Sequence, residues 1–221
     1  RDLHPIIHSF PTRRSSDLSD KLNDSELLRA IGAKESHAEG LFFPDTYFFT
    51  RNSSDLTILK RAYQAMQQHL ETVWLARQEF LPLKDQYDGL ILASIIEKET
   101  GADNERTQIA GVFINRLRHN MKLQTDPTVI YGMGNKFDGN LRKIDLQTDH
   151  EYNTYTRFGL PPTPIAMPGL ASIRAAFNPA ITDELYFVAR GDGTSHFSST
   201  LEEHNRAVLK YQKSSIKHSV H

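Results

Sequence analysis

Glu97 is the residue whose position best suits acid–base chemistry. It follows seven uncharged residues, LILASII (90–96), so its carboxyl group lies at the end of a helix that is otherwise built for burial. A carboxyl group in apolar surroundings keeps its proton closer to neutral pH, as a general acid must. The alternative is a helix-end carboxylate that pairs with Lys98 or Arg106. Glu99 lies about 200° further around the helix, so we expect it to face away from the substrate and to lie at the surface.

A polar segment at residues 123–132, LQTDPTVIYG, offers the groups that bind sugars by hydrogen bonds and by ring stacking. The segments YNTY (152–155) and GLPPTPIAMPG (159–169) have a similar character, and the prolines of the second suit a stiff groove wall. An Asx-type turn at Asp126 and a rigid connector at 159–169 are the structural alternatives. The predicted substrate-binding residues are Gln124, Thr125, Asp126, Tyr131, Asn153, Tyr155 and His196.

Few other groups in the chain suit catalysis. Asp126 or Asp138 could serve as a second carboxylate, as in glycosidases that use two. His196 and His204 belong to no HExxH or similar metal-binding pattern. Each could contact the substrate, and the alternative role for each is a structural hydrogen bond. There is also no glycine-rich phosphate loop and no GxSxG nucleophile elbow. The sequence therefore predicts neither a metal nor another cofactor.

Composition narrows the classes of partner. The 221 residues carry a formal net charge of −1, and Lys and Arg are scattered, so the sequence predicts no nucleic-acid partner. The absence of cysteine excludes thiol catalysis and disulfides. No run approaches the roughly 18 apolar residues that cross a bilayer, so any membrane anchor is expected to lie outside this chain.

The hydrophobic pattern predicts a mixed α+β domain. Capping boxes at Asn23 and Thr200 predict two helix starts, and a β-hairpin is expected over 184–198. Residues 121–168 read mostly as loop, which is long enough to build a site. Apolar residues at spacings of three and four predict further helices over 56–73, 87–100 and 104–120, and a short one after Gly169.

Seven segments between Leu41 and Val208 occur in an order that resembles the YceG/MltG family of endolytic murein transglycosylases. They are LFFPDTYFFT, LILASIIEKETG, GVFINRLRHNMKLQTDPTVIYG, YNTYTRFGLPP, IAMPG with Ser172, LYFVARGDGTSHFS and HNRAV. The resemblance implies that Glu97, the first glutamate of EKET, is the catalytic residue. It also implies cleavage of nascent peptidoglycan glycan strands between N-acetylmuramic acid and N-acetylglucosamine. Such cleavage leaves a 1,6-anhydro end, because the muramic acid's own C6 hydroxyl attacks C1.

The resemblance has consequences for location and partners. It implies an enzyme that ends strand growth beside peptidoglycan synthases. It implies a single-pass protein of the bacterial inner membrane, with the catalytic domain in the periplasm or outside the membrane and the anchor absent from this chain. A hydrolase in which Asp126 or Asp138 activates water, and a non-catalytic peptidoglycan-binding module, are the alternatives.

The fold expected from the sequence is a mixed helical and short-strand catalytic domain with long site-forming loops, preceded by a remnant of a LysM-like domain. Residues 1–18 read as a non-native or disordered tail, because they have neither helical nor strand periodicity. The remnant is assigned to residues 19–39, the catalytic domain to 40–215 and a short tail to 216–221.

Overall fold

Helices form most of this fold. The computed structural model describes residues 22–50, 53–100 and 104–215. None of the helices in these residues is long and apolar enough to cross a membrane. The helices are α1 (Asp24–Ile31), α2 (Asp55–Leu75), α3 (Gln86–Glu99), α4 (Arg106–Arg118), α5 (Asp126–Met133), α6 (Lys143–Gln147), α7 (Leu170–Phe177) and α8 (Leu201–Ser215), with a 3₁₀ turn at Gly134–Lys136. The strands β1 (Tyr186–Ala189) and β2 (Ser195–Ser198) pair antiparallel.

The predicted capping boxes start α1 and α8. The side chain of Asn23 accepts from the Glu26 backbone N–H at 3.0 Å, and the Glu26 carboxylate accepts from the Asn23 N–H at 3.0 Å. Thr200 and Glu203 make the same reciprocal pair at 3.2 Å each. Each box satisfies two backbone N–H groups that the first helical turn leaves unpaired. These two predictions are confirmed.

Helix α3 is the centre of the core. Residues 89–96 are all buried, and α3 packs against α2, α4, α5 and α7. Gly89 permits the closest of these contacts, because a Cβ atom there would lie 1.9 Å from Cζ of Phe177 on α7. A helix that is surrounded in this way must be apolar on every face. Charge is therefore confined to its ends, and its last turn carries both Glu97 and Glu99.

The β-hairpin and α8 form a layer at one side of the helical core. In the hairpin Tyr186 pairs with Ser198 and Ala189 with Ser195, and α8 packs against both strands. Polar side chains of α4 attach this layer to the core. Arg116 Nε donates to the Leu185 carbonyl at 2.7 Å, and the Asn115 amide donates to the Thr182 carbonyl at 2.6 Å.

The predicted α+β class is confirmed, because the described residues form helices and one small antiparallel sheet. Residues 121–168 are mostly loop, as predicted, but the sequence did not predict the short helices α5 and α6 that lie in this stretch. Pro127 stands in the first turn of α5, where its missing N–H costs nothing. The β-branched residues Thr128 and Val129 have modest helix propensity, and their burial overrides it. Residues 41–50 have no helix and a single bridge residue, Phe49.

The N-terminal residues that the structure describes share the main core. Leu28 and Ile31 of α1 are buried in the same cluster as α2 and α3. The assignment of residues 19–39 to a LysM-like remnant stays a prediction, as do the other domain boundaries. The predicted tails at 1–18 and 216–221 lie outside the described residues.

Candidate active site

Glu97 lies in the last turn of α3, where its carboxyl group faces the start of α7. Its Oε2 atom accepts a hydrogen bond from the Ser172 hydroxyl at 2.6 Å and another from the Gly169 backbone N–H at 3.1 Å. Within the described residues these are the hydrogen bonds of this carboxyl group, and both are made to Oε2. The side chain is half-buried. The protein thus fixes Oε2, and Oε1 accepts no hydrogen bond from the described residues.

Ser172 links Glu97 to Arg106 through two hydrogen bonds. The serine is fully buried in the first turn of α7, and its hydroxyl oxygen accepts from Arg106 Nε at 3.2 Å while its proton goes to Glu97. A hydroxyl that accepts from a guanidinium is polarised and donates more strongly. The sequence indicates no role for Ser172 beyond its place in a segment that resembles the family. The one feature of the sequence that could have indicated a role is its position in the first turn of the helix predicted after Gly169, two residues after Leu170.

The proline-rich segment 159–169 runs along α3 toward Glu97. The Ile165 backbone N–H donates to Ser94 Oγ at 3.0 Å, and Gly169 reaches Glu97 one turn further along the helix. Ser94 in turn donates to the Ile91 carbonyl at 2.7 Å, so this buried hydroxyl is satisfied. The segment therefore has a fixed position beside the catalytic candidate, as a groove wall requires.

Glu99 does not lie at the surface, and that expectation is wrong. Its side chain is partly buried against the start of α5, and the Thr125 hydroxyl donates to its Oε1. Burial raises the pKa of Glu99 to about 7; the hydrogen bond from Thr125 lowers it in part, and the neighbouring Asp126 carboxylate raises it. The helical spacing correctly predicts that Glu97 and Glu99 face different ways, since their partners are Ser172 and Thr125. The protein, however, covers both sides of this helix end.

Three of the predicted sugar-binding residues meet around Glu99. Thr125 is buried, Asp126 is exposed, and the Tyr155 hydroxyl donates to Asp126 Oδ1 at 2.6 Å. Burial and the adjacent Asp126 both raise the pKa of Tyr155 well above its usual range, so this phenol stays a donor. Gln124 is exposed beside them with φ of 51°, and its side-chain oxygen accepts from Arg116 Nη1 at 3.3 Å.

Tyr131 and Asn153 have most of their contacts in the surrounding fold, although the Asn153 side-chain oxygen accepts from the Tyr155 backbone N–H at 2.8 Å. The Tyr131 ring packs against the Tyr152 ring at 4.9 Å between centroids, and burial raises the pKa of its hydroxyl to about 12. Asn153 is fully buried, and its amide donates to the carbonyls of Asp145, Leu146 and Thr148. An amide that is enclosed in this way stabilises its own loop. A sugar contact by either residue stays a prediction.

His196 and Asp138 belong to other parts of the fold. His196 lies in β2, with Nδ1 3.5 Å from Arg190 Nη2 and its ring 5.6 Å from that of Tyr211 on α8. Asp138 is exposed and forms an ion pair with Arg142 at 2.5 Å, which holds the pKa of its carboxyl below the usual value. The structure thus brings Gln124, Thr125, Asp126 and Tyr155 to the end of α3. It places His196 on the hairpin and Asp138 in a surface loop.

The arrangement can perform acid–base chemistry. Glu97 presents a carboxyl oxygen beside a stiff backbone segment, and the start of α5 presents hydroxyl, amide and carboxylate groups from the other side of the same helix end. A positioned carboxyl group can first give and then take one proton. This chemistry needs no group beyond those of the chain itself.

This chain is similar to several known proteins. The model of the YceG-like family matches residues 7–210. An endolytic murein transglycosylase of Bacillus subtilis is 43% identical over 175 residues, which cover 78% of this chain and 48% of that protein. One of Streptococcus pneumoniae is 31% identical over 201 residues, which cover 86% and 36%. The chain therefore spans less than half the length of these two curated relatives.

A solved structure has the same fold. The crystal structure of a yceG-like protein from Listeria monocytogenes superimposes with a TM-score of 0.67 at 38% identity, and the match covers 80% of this chain and 58% of that one.

Proposed function

The chain belongs to the YceG-like family, and from this premise we propose that it is the catalytic part of an endolytic lytic transglycosylase of peptidoglycan. It cleaves within glycan strands between N-acetylmuramic acid and N-acetylglucosamine and leaves a 1,6-anhydro end. The observation that carries the proposal is the carboxyl group of Glu97, whose Oε2 is held by Ser172 and Gly169 while Oε1 is left for the substrate. The names of the relatives and the stiff segment beside Glu97 support it.

In the first half of the reaction Glu97 acts as a general acid. Its proton passes to the glycosidic oxygen as the bond from C1 of the muramic acid to that oxygen breaks. The N-acetylglucosamine end leaves as an alcohol, and positive charge develops at C1. The hydrogen bonds from Ser172 and Gly169 stabilise the carboxylate that remains.

In the second half the same carboxylate acts as a general base. It takes the proton of the C6 hydroxyl as that oxygen forms a bond to C1, and the enzyme returns to its starting state. No water is consumed, so a single carboxyl group suffices and a second one to activate water is not required. A hydrolase that used Asp126 or Asp138 in that role would leave reducing ends instead.

Substrate binding is proposed for the residues around Glu99, at the same end of α3 as Glu97. Thr125, Asp126, Tyr155 and Gln124 lie together at the start of α5, where polar groups can orient a sugar. Tyr131, Asn153 and His196 are proposed as contacts of lower rank, because their present partners belong to the surrounding fold. Peptidoglycan synthases as partners, a role in ending strand growth, and attachment to the bacterial inner membrane belong to the same proposal.

Mass spectrometry of purified murein tests this function. The murein is digested with the protein and, separately, with its Glu97→Gln variant, whose amide cannot donate an acid proton. Anhydromuramyl fragments from the unmodified protein alone support a lytic transglycosylase that uses Glu97. Reducing-end fragments would move the assignment to a hydrolase, and strand binding without any fragments would favour a binding module.

A further inference from the structure

Glu99 is a buried carboxyl group that the proposed mechanism does not use. It accepts a hydrogen bond from Thr125, and Asp126, the next residue, is a second carboxylate close enough to raise the pKa of Glu99. Tyr155 completes the group through its hydrogen bond to Asp126. These four residues are called the Glu99 cluster below. They come from the end of α3, the start of α5 and the segment after α6.

No neighbouring positive charge compensates the negative charge of ionised Glu99 within the described residues. Within the described residues no Lys or Arg forms an ion pair with Glu99, and the groups that act on it are Thr125 and Asp126. Arg116 of α4 acts on Tyr155 and donates to Gln124. A carboxyl group that is partly buried beside a like charge, without a cation, does not stabilise a fold. Such arrangements are typical of functional sites.

We infer that Glu99 is a positioning residue for the proposed reaction, and that its neutral form holds Thr125, Asp126 and Tyr155 in the geometry that binds the sugar. The inference rests on the proposed function. While Glu99 is neutral, Asp126 is the single negative charge of the cluster, and Tyr155 donates to it. When Glu99 loses its proton, its partly buried carboxylate adjoins the exposed carboxylate of Asp126. Their repulsion moves Asp126, and with it Tyr155, out of place.

The consequence is a pH dependence of substrate binding. Burial raises the pKa of Glu99 to about 7, so the neutral fraction falls about tenfold between about pH 6 and about pH 8. The effect is expected mainly in KM, because the cluster binds the sugar and Glu97 performs the chemistry. A carboxyl group that merely fills space gives no such dependence.

The test compares kcat/KM for glycan-strand cleavage by the protein and by Glu99→Gln across this pH range. The amide has nearly the same shape and cannot ionise. The ratio of kcat/KM of the variant to that of the unmodified protein is expected to rise about tenfold from about pH 6 to about pH 8. Any ionisation of Glu97 cancels in this ratio. Glu71→Gln, the same change at an exposed position of α2, is the matched control and should give a flat ratio.

The possible results of this test distinguish a failure of the inference about Glu99 from a failure of the proposed function. If the protein releases fragments but the kcat/KM ratio for Glu99→Gln does not change with pH, the positioning role of Glu99 is overturned. The proposed function is unaffected by that result. A ratio that changes through kcat alone also overturns it, because Glu99 would then take part in the proton transfer. No fragments from the unmodified protein at any pH overturn the proposed function, and the positioning role with it.

A second measurement applies even where Glu99→Gln folds poorly. NMR titration of the glutamate side-chain carboxyl carbons compares the unmodified protein with its Asp126→Asn variant. Removal of the Asp126 charge should move the titration of Glu99 to lower pH, since that charge raises its pKa. An unchanged titration would overturn the coupling on which the inference rests.

Discussion

The hydroxyl of Ser172 lies 2.6 Å from Oε2 of Glu97, although the two residues are 75 positions apart in the chain. The contact joins the last turn of α3 to the first turn of α7, two helices that pack closely along the core. It fixes the rotation of the carboxyl group and determines which oxygen a substrate can reach. Arg106 supports the serine from behind at 3.2 Å.

Ser172→Ala should lower kcat about 10- to 100-fold with little change in KM, because hydrogen bonds to charged groups contribute about 1.5–3 kcal/mol. The carboxylate of Glu97 would lose one of two donors just when it carries the charge left by proton transfer. Steady-state kinetics with isolated glycan strands measures the effect. Ser199→Ala, the same change at an exposed turn, is the control and should leave kcat unaltered. Equal loss in both variants would contradict a specific role for Ser172.

Arg116→Lys should weaken both the fold and the sugar-binding segment. The Arg116 guanidinium donates to the Leu185 carbonyl at 2.7 Å, to the Leu123 carbonyl at 2.9 Å and to Gln124 at 3.3 Å. A lysine cannot bind all three in one geometry. We expect a loss of about 1.5–3 kcal/mol in unfolding free energy and a raised KM, since Gln124 has a positive φ that these contacts hold.

Urea denaturation and steady-state kinetics check the Arg116 prediction. Arg206→Lys is the control, because Arg206 is exposed and, within the described residues, forms its ion pair with Glu202 on the surface of α8. Exposed pairs of this kind contribute about 0–1 kcal/mol. Stability losses of the same size in both variants would show that the buried hydrogen bonds of Arg116 matter little.

Gly89→Ala should destabilise the core, because the added methyl group would lie 1.9 Å from the Phe177 ring. Overpacking of this kind costs about 1–3 kcal/mol, and more where the backbone cannot move. The double variant Gly89→Ala, Phe177→Leu should recover part of the loss, since the smaller side chain vacates the position of the ring. Thermal unfolding of the two single variants and the double variant gives the coupling. Strictly additive losses would argue against a direct clash.

Local signals predicted much of the fold. Capping residues such as Asn23 and Thr200 act within three residues of themselves, so their helix starts could be predicted without tertiary information. The position of Glu97 at the end of an apolar helix was equally local. The burial of Glu99 and the partner of Ser172 depend on contacts with α5 and α3, across 26 and 75 positions. Helix α5 was missed for the same reason, because the burial of Thr128 and Val129 is a tertiary effect.

Glu99 should make the stability of the fold depend on pH. Its pKa is raised in the folded state from an ordinary value of 4.5 to about 7, so the folded state binds more protons than the unfolded chain between these values. The stability that protonated Glu99 contributes to the fold is therefore fully present below about pH 4.5. It is lost as pH rises through about 7. Above that range the buried charge costs on the order of 3 kcal/mol.

Glu99→Gln removes this ionisation, so its stability relative to the unmodified protein should rise by about 2–3 kcal/mol between about pH 5 and about pH 8. Urea denaturation of both proteins at the two pH values measures the difference directly and requires no substrate. Glu71→Gln, at an exposed position, provides the baseline for other groups that titrate in the same range. A difference that stays constant with pH would mean that Glu99 ionises as readily in the folded protein as in the unfolded chain, and that its enclosure by α5 does not hinder its charge.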